Sequence, residues 1–251
     1  MSSCNVRLRK QEFLASILIH SKVVQAGWAI LVVASSAGAL YLEYRFDLMK
    51  DITNVWSAGT AVMLGGTIVP LLLATIDLRV RGRSWGDVGL RRPDRLLHAL
   101  FLIPVIVLLA LIADVALTLV MERLADAAPV NVSHLDNIEG NLPGFVWGMI
   151  VMWTTAAFAE EMLFRGYLMS RIAELIGPRA AGWAVGLLVS AFLFGISHAY
   201  QGPAGIIGTG TTGLVFGVGY LLSRRNLWPV IIVHGIANSI GFVALYLGAP
   251  L

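Results

Sequence analysis

The sequence predicts an all-α, polytopic helical membrane protein with about seven transmembrane helices, and three observations predict it. Hydrophobic residues make up 57% of the 251-residue chain and charged residues only 13%, about half the ~25% usual in soluble proteins. Several apolar runs approach or exceed the ~20 residues that carry a helix across a bilayer. The basic residues fall in alternate segments between those runs, the pattern that orients membrane helices. Residues 1–251 read as a single integral membrane domain.

The first run, 23–42, follows a basic segment of Arg7, Arg9, Lys10 and Lys22. Small residues between Ala34 and Ala39 would suit a cleavable signal peptide. The apolar stretch is too long and the basic region too extended for that pattern, so a retained first span is expected. The second run is 55–76, and Leu78–Arg95 behind it is polar and rich in arginine. The third, 96–120, has His98 at its start and Asp114 near its far end. Both read as interfacial groups hydrated from the ends of the span. Met121–Pro143 is polar and acidic. Its Asn131-Val132-Ser133 matches a three-residue glycosylation sequon, a weak signal, and His134 beside it reads as a solvated loop residue. The remaining runs are 144–166, 180–198, 204–222 and 228–247. No repeat of fixed period separates them.

With the N-terminus in the cytoplasm, the inner segments hold fifteen of the eighteen basic residues. These are Arg7, Arg9, Lys10 and Lys22; Arg79, Arg81, Arg83, Arg91, Arg92 and Arg95; Arg165, Arg171 and Arg179; and Arg224 and Arg225. Only Arg45, Lys50 and Arg123 remain for the outer segments. This positive-inside bias predicts a multi-pass protein with a cytoplasmic N-terminus and an outer C-terminus. A re-entrant piece near Gly202–Gly213 would alter the second expectation alone. No basic stripe is interleaved with aromatic residues, so the expected partners are the lipid bilayer and a membrane-borne substrate, with no nucleic acid. Cys4 is the single cysteine, which excludes an intrachain disulfide and a multi-cysteine metal site.

Ionisable side chains inside spans are costly and mark functional sites. Apart from Asp114, they are Glu160, Glu161 and Arg165 in the fourth span, His198 at the end of the fifth and His234 in the seventh. Residues four apart share a helix face, so Glu161 and Arg165 are expected to pair. Glu160 lies about 100° round the helix and stays free for chemistry. A buried ion pair locking two helices would explain Glu161 and Arg165 but not Glu160. His234 and Asn238, again four apart, share a face. Residue 179 is the midpoint between Glu160 and His198, and Gly177-Pro178 is a strong turn signal there. Antiparallel helices either side of that turn would bring both residues to one level, if Arg165–Ile176 continues the helix.

A carboxylate and imidazoles in one membrane cavity suggest activation of water. There is no His-Glu-x-x-His helix of a zinc protease, and no pair of membrane aspartates. Gly195-Ile196-Ser197-His198 is an incomplete nucleophile elbow, since His198 stands where a second glycine belongs, so Ser197 is not favoured as a nucleophile.

Glu160-Glu161-x-x-x-Arg165, Phe194-x-x-x-His198 and His234-x-x-x-Asn238 resemble the three motifs of the CAAX-prenyl-protease and bacteriocin-processing (CPBP) family of intramembrane endopeptidases. Phe164-Arg165-Gly166 and the segment Asp87-Val88-Gly89-Leu90-Arg91-Arg92-Pro93 resemble it too. The specific resemblance covers 144–247, the expected catalytic core. It implies a helical membrane fold with its site in a cavity facing the cytoplasm. It implies that Glu160 and His198 activate water, that His234 and Asn238 hold the oxyanion, and that Glu161 and Arg165 support the helix. The substrate would be a membrane-embedded or lipidated peptide or protein, CAAX-type among the options. No cofactor is favoured; if zinc were used, Glu160, His198 and His234 would bind it. A non-catalytic membrane scaffold of the same fold and a proton-coupled transporter are the alternatives, the latter weakened by the lack of a duplicated half.

Overall fold

Apolar runs bounded by polar, Gly- or Pro-containing segments become helices almost end to end. The computed structural model describes residues 21–46, 57–123 and 130–249. Cys4, Arg7, Arg9, Lys10 and Lys50 lie outside the described residues. Helix α1 is Lys22–Phe46, α2 Ala58–Val80, α3 Leu96–Arg123 and α4 Leu142–Met152. A π-helical segment, Trp153–Met169, continues α4 and runs into α5, Ser170–Ile176. Helices α6 (Ala180–Ile196), α7 (Gly202–Leu222) and α8 (Trp228–Tyr246) follow, with short 3₁₀ turns at Trp85–Val88, Ser133–Ile138 and Ala199–Gln201. The described residues hold no strand.

Five stretches are long and apolar enough to cross a membrane: Met63–Val80, Leu96–Met121, Leu142–Ile176, Ala199–Leu222 and Trp228–Tyr246. Lys22–Ser35 and Ala180–Ile196 are shorter apolar helices. The polytopic helical class therefore holds, with five full-length candidate spans among the described residues where about seven were expected. Helix α3 shows the membrane character best. It leaves Leu97, Phe101, Leu108, Leu111, Ile112 and Val115 exposed, a surface that only lipid would cover at low cost.

The fourth span departs from expectation in its winding. The reading from sequence assumed 3.6 residues per turn, but Trp153–Met169 is a wider π-helix. A π coil packs poorly along its own axis, and tertiary contacts must compensate. Here α2, α6 and α8 all pack against it, and Ala157, Tyr167 and Met169 are completely enclosed. The helix does continue through Ile176, as matching the heights of Glu160 and His198 required. It stops at Gly177, whose φ of 130° is left-handed.

A second buried polar cluster ties α2 to this central helix. Asp77, placed by the sequence reading at the edge of a loop, is fully buried because α2 runs on to Val80. Its carboxylate accepts from Arg81 Nε at 2.7 Å and from the Tyr167 hydroxyl at 3.0 Å. Arg171 Nε lies 3.5 Å away. Arg171 and Arg83 both pair with Glu174. The segment before α3 also packs inward. Leu227 N–H donates to the Gly89 carbonyl and the Tyr220 hydroxyl donates to the Val88 carbonyl. Gly89 has φ 111°, and a Cβ there would sit 2.6 Å from the Arg225 carbonyl oxygen, so only glycine fits.

Candidate active site

The central helix, α6 and α8 each deliver one motif to a shared cavity of about 340 Å³. Its lining includes Glu160, His198, His234 and Asn238, so the four residues singled out as catalytic come together. Antiparallel packing of the central helix and α6 around the Gly177 turn brings Glu160 and His198 level. Proline at the start of α8 sets the helix whose face, two turns in, presents His234 and Asn238.

Glu160 contributes a carboxylate oxygen, Oε2, that is buried and has no hydrogen-bond partner. Glu161 Oε2 is likewise buried without a partner, but Glu161 is anchored through Oε1, which accepts from Arg165 Nη1 at 2.7 Å and from His234 Nδ1 at 2.8 Å. The expected Glu161–Arg165 pair is present, and Glu161 also reaches across to α8, which the i,i+4 argument did not foresee. Arg165 is 1% exposed and is no loop residue. Its guanidinium lies 4.4 Å from the Phe194 ring centroid and 5.5 Å from that of Phe216, and Nη2 donates to the Gly213 carbonyl.

The two histidines are held alike. A carboxylate and a carbonyl only accept, so each Nδ1 facing one carries the proton. His234 Nδ1–H donates to Glu161, and His198 Nδ1–H donates to the Phe194 carbonyl at 2.8 Å. Each imidazole is thereby left with its Nε2 for the cavity. Nε2 of a neutral ring accepts a proton; Nε2–H of an imidazolium donates. Ser197 Oγ donates to the Phe194 carbonyl at 2.7 Å and does not line the cavity.

The sequence reading misplaced His134. It is buried, at 8% exposed, and lines the cavity because Ser133–Ile138 folds inward over it. Its ring stands edge-on to Tyr200 at 5.2 Å, and Tyr200 is 5.8 Å from His198. Burial pushes the His134 pKa down to about 4, against a smaller upward pull from Asp136. Phe216 and Met63 also line the cavity, and nothing in their sequence context distinguishes them from core residues. Asp114 is exposed, as expected. His98 Nε2 lies 3.1 Å from the Leu222 carbonyl, and Asn131 Oδ1 accepts from Ser133 N–H in a local turn.

Towards one end the cavity is lined by His134, Leu135, Tyr200, Gln201 and Leu245, and two hydrogen bonds tie the segments there, Asn131 N–H to the Gln201 carbonyl and Gly140 N–H to the Tyr246 carbonyl. The arginine-rich segments 79–95 and 224–225 meet at the other end, where Arg91 Nη2 donates to the Arg224 carbonyl and Asn226 to that of Arg91.

A helical membrane bundle with a carboxylate, two imidazoles and an amide around an interior cavity defines the class of intramembrane proteins to which the motifs pointed. Residues 142–240 match the family model of the Rce1-like type II CAAX prenyl endopeptidases. The match spans all three motifs, and it supports a CAAX-type protease at family level. No curated protein and no solved structure matches the chain significantly.

Proposed function

We propose that the protein is an intramembrane endopeptidase that hydrolyses a peptide bond of a membrane-associated substrate with activated water. The observation that supports this best is the unpartnered Glu160 oxygen in a cavity shared with His198, His234 and Asn238. A buried carboxylate oxygen without a partner is costly, and Glu160, unlike Glu161, turns its carboxylate to the cavity. Water between Glu160 and His198 Nε2 satisfies it and is positioned for general-base removal of a proton. The hydroxide oxygen bonds to the scissile carbonyl carbon, and the proton passes to Glu160. The oxyanion takes hydrogen bonds from the Asn238 amide and from His234, whose ring is oriented by the Nδ1–H bond to Glu161. Collapse breaks the C–N bond, and Glu160 returns the proton to the departing amine.

Among the described residues, no group of three or more His, Cys, Asp or Glu side chains is arranged to hold a metal ion. Glu160, His198 and His234 are not arranged as a zinc site. Asn238, a poor zinc ligand and a good amide donor, suits the metal-free reading.

The test is turnover of a membrane-anchored reporter by detergent-purified protein, read beside its melting curve. Glu160→Gln is nearly isosteric and uncharged, so the fold should survive while turnover falls by ~10²–10⁴-fold. Full turnover by that variant would remove Glu160 as the base. A non-catalytic scaffold would show no turnover in the wild type either. Loss of wild-type activity to a chelator, with recovery on zinc addition, would overturn the metal-free mechanism.

A further inference from the structure

We infer that the Thr212 hydroxyl is a substrate-binding group of this site, donating a hydrogen bond to a backbone carbonyl of the extended peptide beside the scissile bond; this rests on the endopeptidase reading. Thr212 lies on the wall of the cavity that carries no motif residue.

The central helix, α6 and α8 supply Glu160, His198, His234 and Asn238. Helix α7 supplies Thr209, Thr212 and Phe216, whose spacings of three and four put them on one face. The neighbours of Thr212 fix its place in the cavity. Gly213 is wedged against α6, where a Cβ would sit 3.2 Å from the Phe194 ring. The centroid of that ring lies 4.8 Å from the His198 ring and 6.3 Å from the His234 ring. Phe216 lies 5.2 Å from the His234 ring. Thr212 therefore stands beside the histidine pair, about 6 Å along α7 from the residue that backs His234.

The hydroxyl is free to act there. A threonine inside a helix commonly spends its hydroxyl on the carbonyl four residues back. Thr209 does so, donating to the Gly205 carbonyl at 2.7 Å, and Thr211 donates to that of Ile207 at 2.8 Å. Thr212 does not. Among the described residues its Oγ1 has no hydrogen-bond partner, and it is not sealed into the packed interior.

A peptide entering the cavity gives up water for walls that are largely apolar, among them Met63, Met152, Ala156, Phe194 and Phe242. Each of its residues brings a carbonyl and an N–H that need partners once dry. In the reading above, Glu160, His198, His234 and Asn238 are engaged with water and the oxyanion. The Thr212 hydroxyl then serves a neighbouring carbonyl. Such a bond reads backbone, not side chain, so it aligns the chain for cleavage without selecting its sequence.

The test uses the full chain in detergent with a dye-labelled, membrane-anchored reporter. Thr212→Val exchanges the hydroxyl for a methyl at nearly constant volume. Because Oγ1 has no partner within the protein, this variant should melt no lower than the wild type. Its KM should rise ~5–100-fold, the effect of stranding one buried peptide carbonyl. The turnover number should stay within about twofold, as for a group that binds ground and transition states alike. Thr212→Ser, which keeps the hydroxyl, should bring KM back near the wild-type value. Thr209→Val, which removes a hydroxyl already turned to its own helix, should leave KM unchanged. Added to Glu160→Gln, Thr212→Val should weaken binding of the uncleaved reporter by the same factor as it raises KM. An unchanged KM, a loss confined to kcat, a Thr212→Ser variant as impaired as Thr212→Val, or an equal effect of Thr209→Val overturns the assignment. A lowered melting temperature in Thr212→Val marks a structural threonine and overturns it too. If the wild type cleaves nothing while Thr212→Val still weakens reporter binding, the endopeptidase reading fails and the binding role of Thr212 stands; without that binding difference, both fail.

Discussion

At the scale of single residues, the adjacent carboxylates have opposite surroundings. Glu161 is tied through one oxygen to Arg165 and His234, and Glu160 lines the cavity with an unpartnered oxygen. Removing either partner of a buried pair strands the other charge, a loss of ~3–5 kcal/mol. Arg165→Ala should therefore give little folded protein, measured as recovery of a monodisperse peak in detergent. Glu161→Gln should behave differently. The amide oxygen can still accept from Arg165 and His234, so melting should change less than in Arg165→Ala, but the carboxylate that orients His234 through Nδ1–H is replaced by a weaker acceptor. Turnover should fall with KM little changed, and a wild-type rate would show that Glu161 only braces the helix. His134 carries a pH prediction. Its folded pKa, about 4, lies below the unfolded 6.5 because burial disfavours the charged ring. The folded state binds fewer protons between those values, so this contribution is intact above pH 6.5 and is lost as pH falls toward 4. The full loss is on the order of 3 kcal/mol, of which about 2 kcal/mol falls by pH 5. Melting at pH 7.5 and 5 should show a smaller difference for His134→Gln than for the wild type; equal differences would sink the assignment.

At the scale of elements, the central helix is shaped by its neighbours more than by its own propensities. Gly235 lets α8 come so close that a Cβ there would lie 2.2 Å from the Trp153 ring. The indole cannot swing away freely, since its Nε1–H donates to Ser239 Oγ at 3.0 Å on the same helix. Gly235→Ala should push α8 outward beside His234. The expected cost is ~1–3 kcal/mol of stability from overpacking, with turnover reduced at temperatures where the variant remains folded. An unchanged melting temperature would mean that the two helices do not meet this closely. The Asp77 cluster does for α2 what Glu161 does for α8: each pins a neighbouring helix to the central one through a buried charge. Asp77 was legible only as a polar residue at the end of an apolar run, although its i,i+4 spacing to Arg81 was available as a signal.

At the scale of the whole molecule, surface and interior exchange their usual roles. The apolar residues of α3 face outward, and the charged ones of the central helix are enclosed. An arginine at the lipid-facing position Leu108 should cost ~2.5–3.5 kcal/mol of insertion. Leu108→Arg should shift α3 out of the membrane-integrated fraction in an insertion assay, while Asp136→Arg, exposed in the Ser133–Ile138 turn, should leave integration unchanged.

How much of this was readable beforehand follows from the range of each interaction. Apolar length and charge alternation are local properties of the chain, so the helical membrane class and the helix intervals followed from the sequence. The set Glu160, His198, His234 and Asn238 was legible because ionisable groups in apolar runs are rare enough to be conspicuous. The i,i+4 spacing already singled out Glu160 as the free carboxylate; only the tertiary structure decided that Glu161 also meets His234, across 73 positions of sequence. It also decided the π winding, the burial of Asp77 and the inward fold of His134. Each arises from contact between segments far apart in the chain, where residues that look like loop or ordinary core acquire their roles from what packs against them.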